Sequence, residues 1–323
     1  MHIVIVGPGA LGSLLTARLS LLAAGQGEGG ADNDLQVTLL DYKPGRAALL
    51  ARDGLLLEDG AGRWRCTPEV SADPEVCAEA DIVLLCVKAH AVGAALARIR
   101  PFLAPAQILL AMENGIGHLD LLDNIPCIPG VGITTEGATL LAPGHVRHGG
   151  AGMTRLGLLA AAPAAADVLL DRLAGLFNRS GLVAAITPTP LKDVWAKLFV
   201  NAGINALTAL LRCPNGALLD SSPTRERMTQ AVREAEAVAR ARGIPVDEDP
   251  VTVTFRVCEA TGNNISSMFQ DILSRRRTEI DAINGAIVVA GGKLGIPTPI
   301  NAELVRQIKD IEAAFLSPDG EQA

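Results

Sequence analysis

His2-Ile3-Val4-Ile5-Val6-Gly7-Pro8-Gly9-Ala10-Leu11-Gly12, at the start of a chain of 323 residues, decides how the first half folds. Residues 2–6 form a short, near-continuous apolar run, the next six fit G-x-G-x-x-G, and 10–23 has the composition and length of a helix. A glycine turn between a strand and a helix lets the chain bend tightly and lets a pyrophosphate approach the backbone, while the helix N-terminus faces the negative charge. Strand–turn–helix context raises a weak motif to a specific one. Gly7, Pro8, Gly9, Ala10, Leu11 and Gly12 are therefore candidate dinucleotide-binding residues.

Working outward, apolar runs recur at 36–40, 82–87 and 107–112, separated by stretches of helical character such as 89–99. Runs apolar at nearly every position suit strands covered on both faces, and their alternation with helices predicts a parallel α/β sheet of Rossmann type. From about 127 to 160 the texture is Gly-rich and β-like, as for hairpins that finish the sheet. Beyond 188 the pattern is helical, with segments at 191–211, 223–242, 264–275, 279–293 and 301–315. Thr278, with Asp281 three residues on, reads as a variant capping box opening the 279–293 helix. The Thr187-Pro188-Thr189-Pro190 punctuation sets the expected boundary: an α/β dinucleotide-binding domain over 1–188 and an all-α domain over 189–323 that carries substrate-binding and catalytic residues.

Composition narrows the function. The hydrophobic fraction is 49% and the charged fraction 20%, as for a core-forming protein. With 28 basic against 35 acidic residues the net charge is −7, which argues against a nucleic-acid partner but not against a small anionic substrate. Six scattered cysteines form no C-x-x-C and no Cys/His cluster at ligand spacing, so reduced thiols and no metal are expected. No basic leader and no uninterrupted apolar stretch of about 18 residues is found, so a cytoplasmic protein without membrane contact is expected. A homodimer is compatible with this plan.

Three further residues follow strand ends, where open parallel sheets bind ligands: Asp41 after 36–40, Lys88 after 82–87 and Asn114 after 107–112. An acid at the end of the second strand usually accepts from the adenosine ribose hydroxyls, which favours NAD(H) because it repels a 2′-phosphate. Lys43 and Arg46 lie just beyond and can hold that phosphate instead. The interval from Gly12 to Asp41 exceeds the usual spacing of about twenty residues. Its excess lies in the polar, Gly-rich stretch 25–34, read as an exposed loop.

In the second half, Lys197, Asn201 and Asn205 are spaced i, i+4, i+8, on one face of a helix otherwise built of residues such as Trp195, Leu198, Phe199, Ile204 and Leu207. Burying an ammonium and two amides without partners is costly, so the stripe reads as the wall of a polar cavity, or as an interhelical hydrogen-bond network. Hydride delivery to a ketone leaves negative charge on oxygen, and a positioned ammonium polarises that oxygen and donates the proton. Glu279, at the expected start of its helix, can orient Lys197 or bind a substrate hydroxyl, or simply complement the helix dipole. Ser267, near another helix start, can bind a carboxylate or act as an ordinary N-cap. His90, His118, His145 and His148 have no acid or nucleophile at a telling spacing and read as surface or loop residues.

These residues occur in a larger pattern: GPGALG at 7–12, CVKAH at 86–90, ENGIG at 113–117, TTEGATLLAPGHVRHGG at 134–150, WAKLFVNAGINALTAL at 195–210, CPNG at 213–216, NISSMFQDI at 264–272 and TEIDAINGAI at 278–287. In that order they resemble the ketopantoate reductase (2-dehydropantoate 2-reductase) family over nearly the whole chain. The resemblance implies a helical domain like the C-terminal domain of 6-phosphogluconate dehydrogenase. It also implies NADP(H)-dependent reduction of 2-dehydropantoate to pantoate, on the route to pantothenate and coenzyme A. It makes Lys197 the general acid and Glu279 its acidic partner at the substrate hydroxyl. Asn201, Asn205 and Ser267 become substrate-binding residues, and Lys88 and Asn114 residues of the cofactor–substrate junction.

Three positions depart from the family pattern. Ala91 and Glu113 stand where glutamine is usual or common, and Asp41 stands where many members present an arginine to the 2′-phosphate. The first two leave room for a paralogue acting on another 2-oxo acid; the third leaves NAD(H) open as cofactor. A 3-hydroxy acid dehydrogenase of similar plan would not account for the 264–287 segment. A non-catalytic redox sensor would not need Lys197 and Glu279 together.

Overall fold

In the computed structural model, which describes residues 1–26 and 31–316, the chain divides into two compact units. One comprises 1–113 and 120–190; the other comprises 114–119 and the chain from 191 onward. The first unit ends at Pro190, and the six residues 114–119 group with the second unit rather than with the α/β half. The loop expected over 25–34 lies partly outside the described residues.

The first unit contains β1 (His2–Val6), α1 (Ala10–Ala23), β2 (Gln36–Leu40), α2 (Pro44–Asp53), β3 (Leu55–Asp59), β4 (Gly62–Cys66), β5 (Glu69–Ser71), β6 (Ile82–Leu85) and α3 (Val92–Ile99). It continues with β7 (Ile108–Ala111), β8 (Ile128–Thr134), β9 (Gly137–Ala142), β10 (His145–Gly150), β11 (Met153–Leu158), α4 (Ala164–Arg179) and β12 (Val183–Ile186). Eight strands form one sheet in the order β12-β11-β8-β7-β6-β1-β2-β5. Every neighbouring pair in it is parallel except β8 and β11. Ile3, Val4 and Ile5, Ile82 to Leu85, and Ile108 to Leu110 are wholly buried, which is why these strands are apolar at every position rather than alternating. Helix α1 contributes Leu14, Leu15, Leu19 and Leu22 to the same core.

Residues 127–160 do not all finish the one expected sheet but divide between two. β8 and β11 do extend the main sheet, but β9 and β10 join β3 and β4 in a separate sheet of order β4-β3-β10-β9. Its central pair is parallel, with His145 opposite Leu56, so it unites residues about ninety apart in sequence. β4 (GRWRC) is exposed at all but its last position and shows no hydrophobic period, so local pattern gave no strand there. Buried Leu55, Leu57 and Val146 attach this sheet to the core that includes α1.

The second unit is helical: α5 (Pro190–Leu211), α6 (Ser222–Ala241), α7 (Pro250–Ala260), α8 (Ser267–Leu273), α9 (Asn284–Leu294) and α10 (Pro299–Ala313). By length and composition α5 could cross a membrane, but its most apolar window is 67% buried inside the protein, as befits a central core helix. Polar pins set its neighbours. The Glu234 carboxylate of α6 accepts from Ile300 N and Asn301 N at the start of α10 (2.8 and 2.9 Å), satisfying two N–H groups that have no acceptor within their helix. Fully buried Asn284 donates to Asn301 Oδ1 (2.9 Å) and to the Ala202 carbonyl of α5 (3.2 Å).

The start of α9 differs from expectation. Thr278 is not a cap: its hydroxyl accepts from Ile280 N (3.2 Å) and its own N–H donates to Glu312 Oε1 (2.6 Å). Residues 279–283 form a turn, and the helix begins only at Asn284. The Ala282 carbonyl, which an earlier helix would have turned toward residue 286, accepts instead from Ile116 N at 3.0 Å.

Candidate active site

The glycine turn of the first unit separates what the fold demands from what a ligand would demand. Gly7 has φ +104°, and a Cβ there would lie 2.8 Å from Val87 Cγ1 and 3.1 Å from the Cys86 carbonyl. At Gly12 a Cβ would fall 2.0 Å from the Gly7 carbonyl oxygen. Both positions are buried, and packing alone requires glycine there. At Gly9 a Cβ would meet only the Cys86 carbonyl, at an ordinary 3.6 Å. Gly9, Ala10 and Leu11 are partly exposed, whereas Pro8 is buried behind them. α1 starts at Ala10 with no side-chain cap, so its first N–H groups have no acceptor within the helix. The turn therefore fits a pyrophosphate, with the open cradle at Gly9.

Asp41 has no exposed side-chain surface. Its carboxylate accepts two hydrogen bonds from the Arg46 guanidinium of α2, at 2.5 Å from Nε and 2.8 Å from Nη2, and a third from Lys43 N at 3.1 Å. The two bonds to Asp41 hold the Arg46 pKa above its ordinary value. Two cations lie over the Tyr42 ring, Arg46 and Arg98 of α3, each 5.9 Å from its centre. Lys88, half-buried, follows β6 and precedes a short 3-10 turn at Ala89–Ala91.

Three of the candidate residues meet within the second unit. Lys197 Nζ donates to Asn114 Oδ1 at 2.7 Å, and Asn114 Nδ2 donates to Glu279 Oε2 at 2.8 Å. This pairing defines the amide orientation, since an ammonium can only donate and a carboxylate only accept. Burial pulls the Lys197 pKa down to about 8, against the opposing pull of the Glu279 charge. Glu279 is buried in the turn before α9, not in the first turn of a helix, so dipole complementation does not account for it. Asn201 is half-buried and Asn205 buried on the same helix, α5.

Ser267 is the exposed first residue of α8, and the cap is its neighbour: Ser266 Oγ accepts from Phe269 N at 3.1 Å. Ser266 Oγ also lies 2.7 Å from the hydroxyl of Thr208, a fully buried residue that prolongs the Lys197–Asn201–Asn205 stripe by one helical step. Thr208 was legible only as the next i+3 position of that stripe.

Of the four histidines expected at the surface or in loops, His145 and His148 are strand rather than loop residues, and His118 lies in a turn but is buried rather than at the surface. His90 is exposed, but His118 is only 2% exposed, and its pKa is pushed down to about 4 by burial, partly offset by Glu279. His145 and His148 belong to strand β10. His148 sits between Arg18 Nη2 (3.1 Å) and Glu136 Oε2 (2.6 Å). Because arginine only donates, its Nδ1 is the acceptor and Nε2–H points to Glu136. A lone histidine has no periodic signal, so its burial depends on elements distant in sequence.

A parallel sheet with this glycine turn, joined to a helical unit bearing a lysine of lowered pKa tied through an amide to a carboxylate, defines a nicotinamide-dependent oxidoreductase. Residues 3–161 match the family described as Ketopantoate reductase PanE/ApbA, and 191–312 match Ketopantoate reductase PanE/ApbA C terminal. The 2-dehydropantoate 2-reductase of Halobacterium salinarum is 36% identical over 95% of this chain and 98% of its own. That of Vibrio cholerae is 34% identical over 98% and 99%. A ketopantoate reductase structure from Ralstonia eutropha superposes with a TM-score of 0.84 at 29% identity, covering 97% of this chain and 99% of that one. A D-mandelate dehydrogenase solved with NADH and anilino(oxo)acetate gives 0.84 at 28%, covering 98% and 99%. The chain belongs to the ketopantoate reductase family.

Proposed function

We propose that this protein reduces 2-dehydropantoate to pantoate with NADPH, and that the hydrogen-bonded run Lys197–Asn114–Glu279 carries the proton transfer. When bound, the dinucleotide supplies a hydride to the carbonyl carbon. Lys197 polarises the carbonyl oxygen and gives it a proton from Nζ, so the C=O bond becomes C–H and O–H and the lysine is left as a neutral amine that regains a proton from solvent. Glu279 accepts from the Asn114 amide and so orients the carbonyl oxygen that Lys197 faces. Asn201, Asn205 and Ser267 supply the donors for an anionic 2-oxo acid, and Lys88, which follows β6, supplies a cation to the dinucleotide. Gly7 to Gly12 hold the pyrophosphate.

For cofactor choice, Asp41 acts through Arg46. Its carboxylate is covered and neutralised by the guanidinium, so it neither meets a ribose hydroxyl nor repels a 2′-phosphate at close range. Arg46 keeps Nη1 outside the Asp41 pair and is 31% exposed, which favours NADPH.

A second reading has a specific basis: the D-mandelate dehydrogenase likeness, with Ala91 and Glu113 in place of the glutamines usual in the family, suits a reductase of bulkier 2-oxo acids using NADH. Steady-state kcat/KM for a panel of 2-oxo acids with both dinucleotides separates the two. The highest value is expected for 2-dehydropantoate with NADPH; a higher one for an aryl 2-oxo acid with NADH overturns that assignment.

A further inference from the structure

Asn114 can serve both partners only if its backbone is held still, because a side-chain amide that drifts loses both bonds together. Asn114 is followed by a loop that lies against the turn carrying Glu279. Gly115 has φ +82°, and a Cβ on it would stand 2.0 Å from the Ala282 carbonyl oxygen and 2.6 Å from its carbon. Next, Ile116 N donates to that same carbonyl at 3.0 Å. At Gly117 a Cβ would lie 3.1 Å from the Ala282 Cα. Ala282 is in turn tied to Glu279, whose carbonyl accepts from Ala282 N at 3.0 Å and from Ile283 N at 3.1 Å. Asn114 and Glu279, 165 residues apart, are thus referenced to one backbone group.

From this geometry we infer that Gly115 is a positioning residue for the reaction: its missing side chain lets the 115–117 loop seat on the Ala282 carbonyl, and that seat fixes the Asn114 amide between Lys197 and Glu279. Two demands coincide at Gly115. Its backbone conformation is one that residues with a side chain rarely adopt, and the contact leaves no space for a methyl group. A methyl there must lift the loop off Ala282 by more than an ångström, and bonds of 2.7 and 2.8 Å do not survive such a shift. Lys197 then faces the substrate without the Asn114 carbonyl to orient it, and misplacement by about 1 Å is enough to cost about a hundredfold in rate.

This inference rests on Lys197 being the proton donor, and the Lys197→Ala variant tests that premise separately. Gly115→Ala and Gly117→Ala are compared with the unaltered protein for kcat, KM for the 2-oxo acid, dissociation constant for NADPH and the pH at which kcat falls to half. Gly115→Ala is expected to lower kcat at least about tenfold, to leave NADPH affinity within about twofold, and to move the alkaline limb of kcat downward, because the ammonium has lost an acceptor. Gly117→Ala, which needs a shift of only a few tenths of an ångström, is expected to act in the same direction and less. If Gly115→Ala loses activity solely through a smaller folded fraction, with the pH limb in place, the glycine serves folding and the inference is wrong. If Gly115→Ala does not fold, Gly117→Ala decides: an unmoved kcat and pH limb overturns the proposal, and a smaller kcat with a shifted limb upholds it.

Discussion

Lys197 donates a 2.7 Å hydrogen bond to the side-chain carbonyl of Asn114, a residue 83 positions earlier in the chain. An ammonium so placed is both oriented and desolvated. Replacing it with alanine is expected to reduce turnover with 2-dehydropantoate at least about a hundredfold, while the dissociation constant for NADPH changes little. Turnover unchanged, or a matching loss of cofactor affinity, removes Lys197 from the acid role.

The pH dependence follows from the same residue. Lys197 is held at about 8 by burial, with Glu279 opposing. Reduction consumes the protonated form, so kcat is expected to be level below that pH and to fall as pH rises through it. Oxidation of the alcohol consumes the neutral amine and should rise over the same interval. Measuring kcat in both directions between pH 6 and pH 10 checks the sign; limbs running in the same direction are inconsistent with a single acid–base group.

Arg46 carries the cofactor prediction. Arg46→Ala is expected to raise KM for NADPH by about one to two decades and to leave KM for NADH nearly unchanged, as loss of a phosphate partner should. It also uncovers Asp41, whose carboxylate then faces the ligand unneutralised. Asp41→Asn is expected to be milder, because one oxygen can still accept from Arg46. Equal effects of Arg46→Ala on both dinucleotides point to a fold defect instead.

His118 makes stability pH-dependent. Its pKa is near 4 in the folded protein against 6.5 ordinarily, so between these values the unfolded chain binds more protons. The stability at stake is fully present above 6.5 and is lost as pH falls toward 4, by about 3 kcal/mol at the most. Thermal unfolding from pH 4 to pH 7 should show this slope, and His118→Leu should flatten it. An identical slope in the variant assigns the acid sensitivity to other groups.

Thr208 tests how the start of α8 is held. Thr208→Val keeps the shape but removes the hydroxyl 2.7 Å from Ser266 Oγ, loosening the cap that precedes Ser267. A misplaced Ser267 that loses about 1 kcal/mol of its bond to the 2-oxo acid raises KM for that acid about fivefold, with NADPH affinity unchanged and Thr208→Ser restoring the original value.

The sequence by itself determined whatever is encoded within one strand or one helix. Residues 2–23 specify strand, glycine turn and helix because apolar periodicity and glycine sterics act over neighbouring residues, and β1 and α1 occupy the bounds expected of them. Lys197, Asn201 and Asn205 were legible as one polar face because the helical period alone aligns them. Tertiary structure decided what depends on partners far along the chain. β3 and β4 became strands because β10 offers an edge about ninety residues away, and the segment 114–119 joined the helical unit because Ala282 presents a carbonyl to it. Asp41 was turned onto Arg46, and Ser266 rather than Ser267 became the cap of α8. Local pattern can say which residues are fit for such contacts. Which of them meet is settled by the packing of elements that share no neighbourhood in sequence, and for the side chains proposed to move the proton that packing spans 83 and 165 residues.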